Sequence, residues 1–274
     1  MGKIDIVSMK IKSLNNREKT VRVILPYDYD RDTSRRYPVL YMHDVQNLVD
    51  PSPYSGYSWD AERIADDLYR QKAIPGIIIV GIDCDQLRRV FEYSGGFDRQ
   101  AKAKIEMRAH APIPNFHPEG LEYADFIVSE VKDYIDKTYR TFSDRTHTGI
   151  AGSSCGGNIS LYMACWHKDI FGIVGAFSPA FWMLKNHLFT LIKNTDLPHD
   201  IKIYHDMGTK EGVFPQLTYL RNVHQLQNLL EAKNLDPGNL KLVIEKGAYH
   251  TELFWQSRFP DFLKFAFAEA SDTK

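Results

Sequence analysis

The chain has 274 residues, 43% hydrophobic and 25% charged, with a formal net charge of −1. This is the composition of an ordinary globular protein, and so small a net charge gives no reason to expect a nucleic-acid or membrane partner. Cys84, Cys155 and Cys165 cannot all pair within one chain, so they read as reduced thiols rather than a disulfide framework.

At the start of the chain, Met1–Val7 carries Lys3 and Asp5 where a signal peptide needs an apolar run. Gly2 lacks the serine or threonine at residue 6 that myristoylation requires. No stretch approaches the ~18 apolar residues of a membrane span, and the expectation is a cytoplasmic protein. Strand-like runs follow at Val21–Leu25 and Pro38–His43, the second breaking into Asp44-Val45-Gln46-Asn47. Loop Pro51–Trp59 carries Tyr54, Tyr57 and Trp59, and Ser58-Trp59-Asp60-Ala61 opens a helix through Ile64, Ala65 and Leu68. After strand Ile77–Asp83 comes Arg88–Glu119, a long stretch without clear periodicity; loops of that length are usually functional or disordered.

Tyr123, Phe126, Ile127, Val131, Tyr134 and Ile135 recur at helical spacing over Leu121–Tyr139. Strand His147–Ala151 runs into Gly152-Ser153-Ser154-Cys155-Gly156 and a helix through Ile159, Leu161, Tyr162 and Ala164. The sequon Asn158-Ile159-Ser160 falls inside that helix and reads as a chance match. Three further strands, Ile173–Phe177, Ile201–Asp206 and Leu240–Glu245, precede a last helical pattern, Thr251–Ala268, in which Pro260 predicts a break or restart. Several strands are apolar throughout, as strands buried on both faces of a parallel sheet must be. The alternation predicts an α/β fold: a mostly parallel, doubly wound sheet flanked by helices, one domain over residues 1–274. In such folds ligands sit beyond the carboxyl ends of the strands.

The chemistry-bearing residues follow strand ends. Only Ser154 has glycine at both minus two and plus two, the pattern of a nucleophile on a sharp strand-to-helix turn. A serine hydroxyl needs a base, and His250 stands after the last strand by the short turn Lys246-Gly247-Ala248-Tyr249. The imidazole needs a carboxylate partner. Glu211, on the loop beyond strand Ile201–Asp206, is the first candidate, with Asp206 and Glu252 as alternatives. Ser154, Glu211 and His250 fall in the serine–acid–histidine order of α/β-hydrolases. An oxyanion hole needs the N–H after the nucleophile, that of Cys155, and a second from an early strand end, where Val45 and Gln46 both qualify. Asp44 and His43 are expected to hold that loop through local hydrogen bonds. No zinc or nucleotide motif is present, and a gathering of His110, His117 and Asp98 is a weak metal candidate. Neither a metal nor a cofactor is expected.

With these residues in place, the chain resembles the putative-esterase family of α/β-hydrolases, which includes enterochelin esterases, feruloyl and acetyl-xylan esterases of carbohydrate esterase family 1, and mycolyltransferases. The likeness rests on Tyr41–Leu48, Gly56–Asp60, Ile150–Gly157, Gly175–Trp182, Gly208–Gly212 and His250-Thr251-Glu252. It implies Ser154 as nucleophile, His250 as base, Glu211 as acid, and an oxyanion hole from the Cys155 and Gln46 N–H groups, with no cofactor. Two positions depart from the family pattern. Val45 stands where relatives carry glycine, so the oxyanion loop is expected to differ, since a β-branched residue resists positive φ. Cys155 replaces methionine or leucine, which puts a thiol open to oxidation or alkylation beside the nucleophile.

The implied activity is a serine esterase forming an acyl-enzyme on small esters, acylated sugars or phenolic esters among them. An acyltransferase using the same triad and a non-catalytic binding protein are the alternatives. Tyr57, Trp59 and Trp182 are the candidate substrate-binding residues, and a homodimer suits an enzyme of this size.

Overall fold

The computed structural model describes residues 2–97, 99–109, 112–113, 116–211 and 216–268. Chain order gives β1 (Ile4–Ile11), β2 (Arg17–Ile24), β3 (Val39–His43), α1 (Ala61–Arg70), β4 (Ile78–Ile82), α2 (Arg89–Glu92), α3 (Arg99–Ala109) and α4 (Gly120–Phe126). A π-helical turn, Ile127–Val131, leads from α4 into α5 (Lys132–Thr138). Then come β5 (Thr148–Ser153), α6 (Cys155–Trp166), β6 (Ile173–Phe177), α7 (Phe181–Asn194), β7 (Lys202–Gly208), α8 (Gln216–Glu231), β8 (Leu240–Glu245) and α9 (Glu252–Phe267).

The strands form one sheet in the order β1-β2-β4-β3-β5-β6-β7-β8. The pairs β1–β2 and β2–β4 are antiparallel, and every later pair is parallel. This is the mostly parallel α/β-hydrolase architecture that the sequence pattern predicts. β1 lies outside that expectation. Its signal is the short alternation Val7, Met9, Ile11, whose side chains pack on the core while Ile6 faces solvent; five alternating residues at a chain end are easily passed over.

The central strands are buried on both faces, and their side chains alternate between two cores. Val39 and Tyr41 enter the core beneath α4 to α8, while Leu40 and Met42 enter the core beneath α1 and α9. The second core is aromatic: Trp59, Phe177, Tyr204, Phe259 and Phe262 meet mostly edge-on or tilted. That packing explains why Pro260 does not interrupt α9, which runs unbroken from Glu252 to Phe267. A proline inside a helix costs about 3 kcal/mol, and burial of Phe259, Phe262 and Leu263 around it is worth about 1.5–3 kcal/mol per side chain.

The 88–119 stretch is not structureless, as α2 and α3 lie within it. Its two ends are sewn together: the Glu119 N–H donates to Phe91 O at 2.9 Å and the Gly120 N–H to Ser94 O at 2.9 Å. Phe91 meets Phe97 and Phe116 edge to face across the neck, and those two meet at a tilt. Below them Lys19 and Arg17 of β2 pair with Glu92 and Glu119 at 2.6–2.8 Å.

Candidate active site

At the end of β5 the chain turns into α6 through Ser154, which holds φ 58 and ψ −118. An L-residue reaches this backbone state only at a cost of about 1–3 kcal/mol, and the surroundings enforce it. The Ser154 N–H donates to Phe177 O at 2.9 Å, and the Ser154 carbonyl accepts from Ala180 N at 3.1 Å. Gly152 and Gly157 make the turn passable. A Cβ on Gly152 would sit 3.0 Å from the Gly156 backbone and from His43 Cδ2, and one on Gly157 would sit 3.2 Å from Phe177 O.

The predicted acid and base meet. His250 Nδ1 lies 2.8 Å from Glu211 Oε2, with Glu211 1% exposed. The other oxygen, Oε1, accepts from the Gly208 N–H and from the Ser178 hydroxyl, each at 2.6 Å. Ser178 follows Phe177 directly, so the segment 177–180 touches both the serine turn and the Glu211–His250 pair. Asp206 goes elsewhere. It accepts from Arg258 Nε at 2.7 Å, the Ser178 N–H at 2.8 Å and the Tyr204 hydroxyl at 3.2 Å. Burial pushes the Asp206 carboxyl up to about 6 against the pull of Arg258. Glu252 accepts from Asn47 Nδ2 at 3.1 Å and thereby ties the turn after β3 to α9.

At the end of β3 the positive φ falls on Asp44 (φ 61, ψ 50), followed by a single 3-10 turn, Val45–Asn47. The departure at Val45 is therefore accommodated without strain at Val45 itself, whose side chain turns inward. The compensation is Gly81 on β4, where a Cβ would lie 2.3 Å from Val45 Cγ2. Asp44 tolerates the left-handed state as aspartate commonly does, and two bonds from Arg89, at 2.8 and 2.7 Å, hold its carboxylate. Burial alone would raise the Asp44 pKa; Arg89 outweighs it and holds the group below the usual carboxylate range. His43 bonds the Tyr123 hydroxyl through Nδ1 at 2.9 Å, and burial lowers its pKa to about 3, so it stays neutral. Both residues brace the loop. Asn47 and Leu48 spend their N–H groups on Asp44 O and Val45 O at 2.9 and 3.1 Å. The N–H groups that open a helix have no intrahelical acceptor, which leaves Val45 and Gln46 at this turn and Cys155 at the start of α6 as donors. Cys155 is buried, and burial raises its thiol pKa. That corrects the expectation of a reactive thiol, since nucleophilic attack needs an accessible thiolate.

The sequence profile of the family described as Putative esterase matches residues 11–266. The chain belongs to the putative-esterase family. Membership makes it a carboxylic-ester hydrolase by class. Along its length it is similar to the uncharacterized protein YbbA of Bacillus subtilis (strain 168), 23% identical over 97% of this chain and 98% of that one. Among solved structures it resembles an IroE-like serine hydrolase from Shewanella oneidensis, with a TM-score of 0.74 and 16% identity over 97% of this chain and 80% of that one. It also resembles the CE1 ferulic acid esterase AmCE1/Fae1A from Anaeromyces mucronatus, with a TM-score of 0.65 and 20% identity over 96% and 90% of the two chains.

Within this putative-esterase fold the three candidate substrate residues separate. Tyr57 is 49% exposed. Trp59 is 2% exposed and stacks on Trp255 at 6.0 Å, with Phe177 and Phe259 edge-on, so it belongs to the wall behind His250 rather than to a substrate surface. Trp182 opens α7 two residues after Ala180, and its carbonyl accepts from Lys104 of α3 at 3.0 Å. His110, Asp98 and Gly212 lie outside the described residues, and His117 is exposed with Nε2 3.9 Å from Glu119. Among the described residues no group of three His, Cys, Asp or Glu is placed to hold a metal, and no helix is long and apolar enough to cross a membrane. Sequence reasoning passed over Ser178, Trp255 and Arg258. The available signal was spacing: Trp255 and Arg258 stand three apart on the helix that follows His250, which puts both on one face.

Proposed function

We propose that the chain is a serine esterase in which Ser154 attacks, His250 is the base and Glu211 the acid. The observation that carries this reading is the 2.8 Å contact of His250 Nδ1 with Glu211, bound through Ser178 and Phe177 to a serine held in a strained turn. With a hydrogen on Nδ1 facing the carboxylate, Nε2 of the neutral imidazole has a lone pair for the serine proton. Ser154 Oγ adds to the ester carbonyl as its proton passes to Nε2, and the Gln46 and Cys155 N–H groups receive the charge developing on oxygen. The imidazolium then protonates the leaving alcohol. Water repeats the sequence and frees the acid.

Small esters are the substrate class we favour, acylated sugars and phenolic esters among them. We read the chain as one hydrolase domain acting in the cytoplasm, where the buried free thiols Cys84, Cys155 and Cys165 suit a reducing compartment. Hydrolysis of p-nitrophenyl esters from acetate to octanoate, with methyl ferulate alongside, tests the reading. Ser154→Ala should lower turnover by at least about a thousandfold in a folded protein. Turnover near the parent level in that variant would remove Ser154 from the mechanism.

A further inference from the structure

Ser178 is neither nucleophile, base, acid nor oxyanion donor, yet four polar groups surround its hydroxyl. Trp255 Nε1 approaches it at 2.9 Å and Arg258 Nη2 at 3.0 Å. An indole N–H and a guanidinium N–H are donors only, so the oxygen must accept from both. Its own proton then has two acceptors in reach, Glu211 Oε1 at 2.6 Å and Asp206 Oδ1 at 3.5 Å, and the shorter contact takes it. Glu211 Oε1 therefore receives two hydrogens, from Ser178 and from the Gly208 N–H. With two donors aimed at it, that oxygen serves as an acceptor. The remaining oxygen faces His250 Nδ1, whose hydrogen must lie between them. Ser178 also stands between Arg258 Nη2 and Glu211 Oε1, which are 3.7 Å apart. Its backbone, at φ 43, is held in the left-handed region, a placement that non-glycine residues keep where the surroundings over-determine it.

We propose that Ser178 is a positioning residue of the triad: its hydroxyl, oriented by Trp255 and Arg258, fixes Glu211 as an acceptor and His250 as the tautomer with hydrogen on Nδ1. The inference rests on the triad reading, and its test separates the two. Nitrogen-15 spectra of histidine-labelled protein report which ring nitrogen bears hydrogen, with the His250 signals assigned by their loss in His250→Gln. The parent should show a protonated Nδ1. Ser178→Ala, and Ser178→Gly, which removes the same hydroxyl while relieving the left-handed backbone, should both show a mixture of tautomers. Both should lose roughly ten- to a hundredfold in kcat with KM held within about twofold. The loss should fall short of the roughly 10⁴-fold cost of deleting an acid's charge, because Glu211 keeps its charge. An unchanged His250 tautomer, or kcat within about twofold of the parent, overturns the proposal. Should both Ser178 variants fail to fold, Trp255→Phe, which removes one donor and keeps a ring, must shift the same signals. Activity surviving in Ser154→Ala would instead defeat the triad reading and leave the tautomer result standing.

Discussion

Asp206 spends its carboxylate on Arg258, Tyr204 and the Ser178 N–H, whereas Glu211 gives one oxygen to backbone and serine and the other to His250. Only four residues of sequence separate two groups with different work. Glu211→Gln keeps the shape and removes the charge that, in the proposed mechanism, stabilises the imidazolium, so kcat should fall by about 10⁴ with little change in melting temperature. Asp206→Asn takes from the buried Arg258 guanidinium its buried carboxylate partner at 2.7 Å and leaves Glu245 at 2.6 Å. Breaking a buried pair typically costs about 3–5 kcal/mol and a surviving partner reduces that, so the variant should lower the melting temperature well before it lowers kcat. Equal losses of kcat in both variants, measured where both are folded, would erase the distinction. Order along the chain and position after a strand were enough to rank Glu211 above Asp206. What the sequence did not carry was the reason, because two of the partners that occupy Asp206, Ser178 just after β6 and Arg258 of α9, are remote in sequence and joined to it only by the fold.

Elements built from apolar runs were legible, since burial on both faces leaves an uninterrupted run; strand β6, buried throughout, has the bounds that the residues suggested, and so does β8, which is only partly buried. Two features were hidden because they are relations between elements. Pro260 suggests a break when α9 is read alone, and aromatic packing against the sheet overrides it. Val45 suggests a misshapen turn when β3 is read alone, and Gly81 on the neighbouring strand makes room for it. That relation is testable as a pair. Gly81→Ala would place a methyl against Val45 Cγ2 and Leu48 Cδ1, an overpacking that typically costs 1–3 kcal/mol, and the displaced turn should lower kcat through the oxyanion N–H groups. Adding Val45→Gly removes the nearer obstacle and should recover a large part of both losses, a coupling expected for side chains in contact. Additive effects in the double variant would mean that the two residues do not share this space.

For the molecule as a whole, part of the response to acid comes from three groups that folding hides from water. His43 and His205 are both neutral in the native state, their pKa values lowered by burial to about 3 and about 4 from 6.5. His205 contacts Gln227 Oε1 through Nε2 at 2.7 Å. Because each folded pKa lies below its unfolded value, the stability each contributes is complete above pH 6.5 and is lost as pH falls toward the folded value. In the window below pH 6.5 the unfolded chain binds one more proton per histidine, a slope of about 1.4 kcal/mol per pH unit for each. Asp206 runs the other way, since its folded pKa of about 6 lies above the unfolded 3.8; the proton that it keeps when folded adds stability as pH falls below 6. Two imidazoles outweigh one carboxyl. Between pH 7 and pH 5 the pair should cost about 4 kcal/mol and Asp206 should return only about a third of it, a large fraction of the 5–15 kcal/mol that holds a typical protein folded. Urea unfolding at half-unit steps from pH 7 to pH 5 measures the slope. His205→Gln should make it about one proton shallower while leaving ester hydrolysis at pH 7 near the parent value, because β7 carries that side chain toward α8 and away from His250. A slope that His205→Gln leaves unaltered would mean that His205 is not kept neutral by folding.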